Sequence, residues 1–435
     1  MGGHLDEMDV TESARLYFGA ELRYWRMRRN LSVKQLGAIS HDSGSLVAKV
    51  EVGQRRPTHA FAIRMDSALD TGGVLGRVWC AATSSSVNNE QRRIQAETNV
   101  TGHSDTDAAS SRRQLIGPDF GRGSTVRRVG AADIAVMWGM CQVFADADHH
   151  LGGGYTRTTL ATFLNDVVEP ALRGSYDDRT AAELYSVAAR LTGLAAFMCF
   201  DSARQASAEQ FFRQALSLAK AGENGALVAH ILTDMSMQAH YRGRTAQAIE
   251  LGEAAVNRAK RSGSPRTAAR SSAVLARAFS LHQDNAATGR AMLDAEKYLG
   301  RAQSDEPVWI QFFTEQQLAA EFMYVEHDAG RSAELQRQAP AVLERSDGME
   351  RRHVLAAATL AGSYLGRRTE PNNVSQSVEK ACQVLRTTFP AARGLTSARA
   401  IAAINSVRMG LVPHATMAVV KQTEAEFQTT VVTGG

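Results

Sequence analysis

The stretch Leu31 to Pro57, LSVKQLGAISHDSGSLVAKVEVGQRRP, carries two short helices, each with its own start signal. Ser32 stands just ahead of Val33 with Gln35 three positions on, the pattern of a capping box, in which hydroxyl and side-chain amide satisfy each other's backbone N–H groups. His41-Asp42-Ser43-Gly44 interrupts this helix. Asp42 or Ser43 then caps a second helix, Ser45 to Val52, which Gly53 stops. Leu36, Ile39, Leu46, Val47 and Val50 are expected to meet where the two helices cross. Gly44, Ser45, Ala48 and Lys49 remain for the outward face, and Gln54-Arg55-Arg56-Pro57 follows. A tight helix pair with a small, polar and basic outer face is the pattern of a helix-turn-helix, whose second helix enters a DNA major groove.

The flanks supply partners for that pair. Phe18 to Arg29 reads as an amphipathic helix with Phe18, Leu22, Trp25 and Met27 turned inward. Thr58 caps a fourth helix, with Phe61, Ile63, Met65 and Leu69 as candidate core, and Thr71-Gly72-Gly73 ends it. A fifth runs through Val74, Leu75, Val78 and Trp79. The first domain is thus a five-helix unit over residues 15–80, a length at which small domains fold alone.

Charge follows the same division. The formal +4 of the 435-residue chain is unevenly spread: residues 1–14 hold four acids and no base, and residues 15–79 hold eleven Lys and Arg against five Asp and Glu. Residues 80–130 have seven bases against five acids, leaving the remainder near neutral. A basic N-terminal module on a neutral body implies a polyanion partner for that module. The acidic start, MGGHLDEMDV, has no apolar core for a signal peptide, and its Asp6 departs from a myristoylation start. The first fifteen residues are expected to be disordered. No run of about 18 apolar residues marks a membrane span. Cys80, Cys141, Cys199 and Cys382 lie far apart without metal-ligand spacing, as free thiols do in a reducing cytoplasm.

Leu22, Arg26, Leu31-Ser32, Leu36, Ser43, Val47, Val50-Glu51, Gly53, Arg55-Arg56-Pro57 and Leu69 with Thr71-Gly72-Gly73 form a signature. It resembles the lambda-repressor-like, Xre-type helix-turn-helix, in particular that of actinobacterial regulators carrying this domain ahead of a long helical-repeat region. The resemblance implies a partly buried ion pair between Arg26 and Glu51 and base contacts from Gly44, Ser45 and Lys49. Where many members have Gln, this chain has Val33, so direct readout rests on Ser45, Lys49 and Ser43, lysine favouring guanine O6 and N7. Arg55 and Arg56 follow the reading helix, where phosphate contact is expected. The expected DNA-contacting set is therefore Ser32, Ser43, Gly44, Ser45, Lys49, Arg55 and Arg56.

Residues 81–129 read as a flexible linker rich in Ser, Thr, Asn and Gly, dotted with Arg92-Arg93, Arg112-Arg113 and Arg127-Arg128. Residues 130–428 read as helix after helix, Ala-rich and Leu-rich. Breaks at Asp201-Ser202, Gly243-Arg244, Asp284-Asn285 and Asp328-Ala329-Gly330 recur at roughly 41 to 44 residues, the range of two-helix repeats. Ala215, Ala239, Ala248, Ala276 and Ala278 would let neighbouring helices approach closely. The fold class is all-α, a helix-turn-helix domain followed by an α-solenoid of tetratricopeptide-like hairpins. Such stacks present a concave surface for peptides or small ligands. The family resemblance continues through Gly152-Gly153-Gly154, Met237-Gln238-Ala239 and Pro307-x-Trp309-x-x-x-Phe313.

Asp146, Asp148, His149 and His150 precede three glycines, and a helix end explains them better than a metal. No metal and no cofactor are expected. GxSxG, HExxH, Walker and GxGxxG motifs are absent, so no enzyme is expected. The aromatic stripe Trp309, Phe312, Phe313, Phe322 and Tyr324 reads as repeat core, with Trp309 and Glu315 as the candidate effector positions. The functional expectation is a cytoplasmic transcriptional regulator that binds an inverted-repeat DNA operator. Its repeat domain would dimerise it and sense a peptide, small-molecule or protein effector. The alternative is a repeat-domain scaffold for protein partners with DNA binding secondary.

Overall fold

The structure, a computed structural model, describes residues 18–432 except 20, 24, 72–74, 77–78, 80–127, 345–348 and 367–373. The expected disordered start, Cys80 and the linker up to residue 127 lie outside the described residues. Among those described, the regular elements are helices, apart from a single bridge between Arg128 and Ser175. The chain divides into two units, residues 1–140 with 165–180 and residues 141–164 with 181–435.

In the first unit, helical residues 18–19, 21–23 and 25–28 form α1, followed by α2 (Val33–Ile39), α3 (Gly44–Glu51) and α4 (His59–Leu69). Residues 75, 76 and 79 are helical where the fifth helix was expected. Ser32, Ser43 and Thr58 cap α2, α3 and α4 as their side chains suggest, and the Ser32–Gln35 capping box is complete. The α2–α3 crossing is tight because residue 37 is glycine: a Cβ there would lie 2.7 Å from the Gly44 nitrogen. Phe18, Leu22, Leu36, Val47, Val50, Phe61, Met65, Leu69 and Leu75 make the core.

Three expected core residues lie outside it, Met27, Ile39 and Ile63, at 57%, 50% and 46% exposure. Helical phase explains them. At about 100° per residue, Met27 falls opposite the Phe18–Leu22–Trp25 stripe and Ile63 opposite the Phe61–Met65–Leu69 stripe. Ile39 sits well off the buried Leu36–Gly37–Ser40 face of α2 and its continuation. Described backbone resumes at Arg128, inside the span expected as linker, where the Val129 amide donates to the Ser175 carbonyl at 2.9 Å.

The next helices are α5 (Ala131–Leu151), α6 (Gly153–Phe163) and α7 (Glu169–Leu172). The repeating series begins at α8 (Asp178–Asp201) and continues through α9 (Gln205–Ala221), α10 (Gly225–Tyr241), α11 (Thr245–Ser262), α12 (Pro265–Leu281) and α13 (Asn285–Leu299). It proceeds to α14 (Glu315–Asp328), α15 (Ser332–Glu344), α16 (Glu350–Tyr364), α17 (Val374–Ala392), α18 (Ala398–Leu411) and α19 (Ala418–Phe427). α8 is long and apolar enough to cross a membrane, yet its apolar stretch is almost wholly buried within the fold, as a core helix is.

All four expected breaks separate helices, and one turn geometry serves them all. Ala203, Gly243, Gln283 and Gly330 take a left-handed backbone, and the next amide bonds five residues back, as Arg204 does to the Cys199 carbonyl. These turns follow one another after 40, 40 and 47 residues, the last interval lengthened by residues 300–314 between α13 and α14. Alanine makes the packing close: Ala239, Ala248 and Ala278 cluster between α10, α11 and α12, and Ala276 and Ala291 meet Val325.

Early and late parts of the second unit are bonded together. The Leu151 carbonyl accepts from the Thr396 amide and hydroxyl at 2.8 and 2.7 Å, and the Gly154 amide donates to the Thr396 carbonyl. The glycine triplet permits this approach, since a Cβ on Gly153 would lie 2.6 Å from the Met198 carbonyl oxygen and one on Gly154 2.8 Å from that of Thr396. Beneath it the buried Asp201 carboxylate accepts from the Gly153 amide, the Ser397 hydroxyl and Arg399 Nε, each at 2.9 Å, and pairs with Arg351 at 3.4 Å.

Burial pushes the Asp201 carboxyl up, but the charges of Arg351 and Arg399 outweigh it and bring it down to about 2. A folded value below the roughly 3.9 of an unfolded aspartate stabilises the fold above that pH, and the contribution disappears as pH falls towards 2. Asp201→Asn should leave two buried guanidiniums short of a counterion, at a cost of up to about 3–5 kcal/mol. Thermal melts followed by circular dichroism should show a lower Tm at pH 7 and a smaller further loss between pH 4 and 2 than in the wild type.

Candidate functional site

The exposed side of α3 displays Ser45 and Lys49, with Ser43 at its cap and Arg55 and Arg56 beyond its end. Ser32 and Ser43 are exposed, but their oxygens accept from the Gln35 and Leu46 amides, so each retains its hydroxyl proton for a further partner. Gly44 and Ala48, expected on the outward face, are only partly exposed. Gly44 turns towards α2, where a Cβ would lie 3.0 Å from the Lys34 Cα, so close helix approach accounts for the glycine. Lys34, which sequence reasoning passed over, is exposed beside this face. Among the described residues, Lys34, Lys49, Arg55 and Arg56 have no ion-pair partner, which leaves four cations available to a polyanion.

Ion pairs hold that face in place. Arg26 Nε donates to Glu51 Oε1 at 2.6 Å and its NH2 nitrogen to Oε2 at 2.8 Å, a two-point fork between α1 and the end of α3. The NH1 nitrogen reaches the Leu31 carbonyl at 2.7 Å. A second fork, from Arg64 on α4 to Asp42 at 3.0 and 2.7 Å, braces the turn between α2 and α3. Buried Asp66 accepts the Leu75 and Gly76 amides at 2.8 and 2.7 Å. Neither of the last two was anticipated, because their partners come from separate helices.

Residues 18–78 match the family model of a helix-turn-helix domain. No curated protein matches the chain. The helix-turn-helix domain thus accounts for the basic module, and the match does not extend into the second unit.

That unit holds a partly open cavity of about 490 Å³, within the ~300–1,000 Å³ of ordinary small-molecule sites. Its lining comes from α5, α8, α10, α12, α14, α16 and the start of α18, with alternate helices of the series facing inward. Six arginines reach it. Arg270 pairs with Asp234, Arg277 with Glu321 and Asp328, Arg351 with Asp148 and Asp201, and Arg399 with Asp201. Arg352 donates to Gln317 Oε1 at 3.4 Å. Arg190 is 6% exposed, and its Nε has no hydrogen-bond partner.

Two histidines of this lining, His149 and His230, are neutral at pH 7. Burial, with Arg351 and Arg190 nearby, pushes His149 down to about 3. Burial and the charges of Arg270 and Arg190 likewise hold His230 far below its ordinary value. His150 lies 3.5 Å from Glu350, and no group of three metal-ligating side chains occurs among the described residues. Trp309 and Glu315, the expected effector positions, are not in the cavity lining: Trp309 is buried with its ring 5.1 Å from His230, and Glu315 is exposed. Phe312 from the same loop and Tyr324 from α14 line the cavity instead.

Arg26→Ala should leave Glu51, whose side chain is 5% exposed, without its partner and cost up to about 3–5 kcal/mol, a large share of a small domain's stability. Hydrogen exchange on the full chain should then show lost protection across α1 to α4 with the second unit unchanged.

Proposed function

We propose that this chain is a sequence-specific transcriptional regulator, not an enzyme. The helix-turn-helix domain reads DNA, and the helical-hairpin unit dimerises the protein and senses an effector. The observation that carries the reading is the exposed face of α3 with its unpaired Lys49 and the following Arg55 and Arg56, on a domain that matches a helix-turn-helix family. Ser43, Ser45 and Lys49 would contact base edges, while Ser32, Arg55 and Arg56 would contact phosphates. A chain of this kind works on chromosomal DNA in a reducing cytoplasm, consistent with the buried free thiols of Cys141, Cys199 and Cys382 among the described residues.

One helix-turn-helix module covers a half-site, so adequate specificity calls for two modules and an inverted-repeat operator. Tetratricopeptide-like hairpins supply surface for a homodimer. With Leu151 and Gly154 bonded to Thr396, such a dimer would use lateral helix faces. An effector shifts the regulator only by its difference in affinity for the DNA-competent and incompetent states.

Selection of genomic fragments on the full chain, followed by footprinting, should recover an inverted repeat. Lys49→Ala should weaken that binding by about 1–3 kcal/mol and relax preference at one base pair in each half-site. Unchanged affinity and preference would remove α3 as the reading helix. Light scattering should give twice the chain mass of 47.0 kDa, and a monomer at the DNA-binding concentration would end the dimer reading.

A further inference from the structure

We propose that the cavity of the second unit binds a small organic acid carrying a single carboxylate and an apolar body, and that Arg190 on α8 receives the carboxylate. The proposal deepens the effector role given above and names the chemistry of its site.

Charge accounting within the cavity leads to it. Arg190, Arg270, Arg277, Arg351, Arg352 and Arg399 face five carboxylates that line the cavity or pair with its arginines: Asp148, Asp201, Asp234, Glu321 and Asp328. Each carboxylate is engaged by an arginine. Arg352 has Gln317, whereas Arg190 has neither an ion pair nor a hydrogen bond among the described residues. A guanidinium cannot lower its burial cost by losing its proton, so an uncompensated buried one is retained at the expense of stability.

No ion pair or hydrogen bond among the described residues compensates Arg190. Its charge acts on Cys141 and His149 on α5 and on His230 on α10. Burial opposes charge on each: the Cys141 thiol is pushed up, and the two imidazoles are pushed down. None of the three can act as a counter-anion at neutral pH. The planar fork of arginine matches a carboxylate at two points, and one excess positive charge matches a monoanion better than a phosphate dianion. Leu194, Met237, Tyr241 and Leu355 line the same cavity and offer apolar surface to the rest of such a molecule.

The test uses the full chain and the fluorescence of 8-anilinonaphthalene-1-sulfonate, an aromatic monoanion. The wild type should bind it saturably, one per chain. Phenylacetate should displace it, and the uncharged isostere phenylacetamide should do so about tenfold less well. Arg190→Gln should lose about tenfold or more in probe affinity, while its ligand-free melting temperature equals or exceeds that of the wild type because an uncompensated charge has been removed. Three results would each overturn the proposal: no saturable site in the wild type, equal binding by Arg190→Gln, or displacement by the amide as effective as by the acid. A lower melting temperature for Arg190→Gln would also overturn it, by showing that the guanidinium has an internal structural role. These readouts involve no DNA. Failure of the chain to retain any genomic fragment would defeat the regulatory reading and leave the acid site standing.

Discussion

A single buried carboxylate, that of Asp201, sets the geometry of the second unit. It sits at the end of α8 and gathers the first amide of α6, the capping hydroxyl of α18 and guanidiniums from α16 and α18. An isolated charge at this depth would be prohibitive, so its position is tolerated only because every donor arrives together. The inward-facing helices α8, α16 and α18 are thereby tied to one another at one edge of the cavity they help to line. Glycine contributes by omission: at 153 and 154 a methyl group would displace the backbones that bring those donors in.

Charge pairs work similarly in the helix-turn-helix domain on a smaller scale. The Arg26–Glu51 fork joins α1 to the end of α3, and the Arg64–Asp42 fork joins α4 to the turn before it. With both ends of the α3 region tied to neighbours, Val47 and Val50 turn inward and Ser45 and Lys49 outward. A two-point arginine contact fixes orientation as well as distance, which a lysine in the same place would not.

Local chemistry was legible in the sequence and long-range chemistry was not, save for the Arg26–Glu51 pair that the family resemblance implied. Ser32 with Gln35, Ser43 and Thr58 announce their helices because a cap is decided within four residues. The breaks near 202, 243, 284 and 329 were visible for the same reason, although their true spacing was blurred by the insertion at 300–314. The glycine triplet read as a helix stop because Thr396 lies more than 240 residues away in the chain. Arg190 resembled any arginine of an amphipathic helix, since its lack of a partner depends on the six other helices that line the cavity. The aromatic stripe was assigned without its phase, and a few positions decided that Phe312 faces the cavity while Trp309 is buried near it.

The 40-residue spacing places Arg190, His230 and Arg270 at equivalent points on α8, α10 and α12, and Arg270 NH1 lies 3.3 Å from His230 Nδ1. Phe197, Met237 and Arg277 form a second such row. The lining is therefore a ladder, one rung per hairpin, in which neighbouring rungs present different chemistry on the same backbone frame. A substitution on one rung alters the chemistry presented at that height and leaves the turns and alanine contacts of the others intact. The lining can then drift among related chains by single replacements on inward faces, without any change in how the hairpins stack.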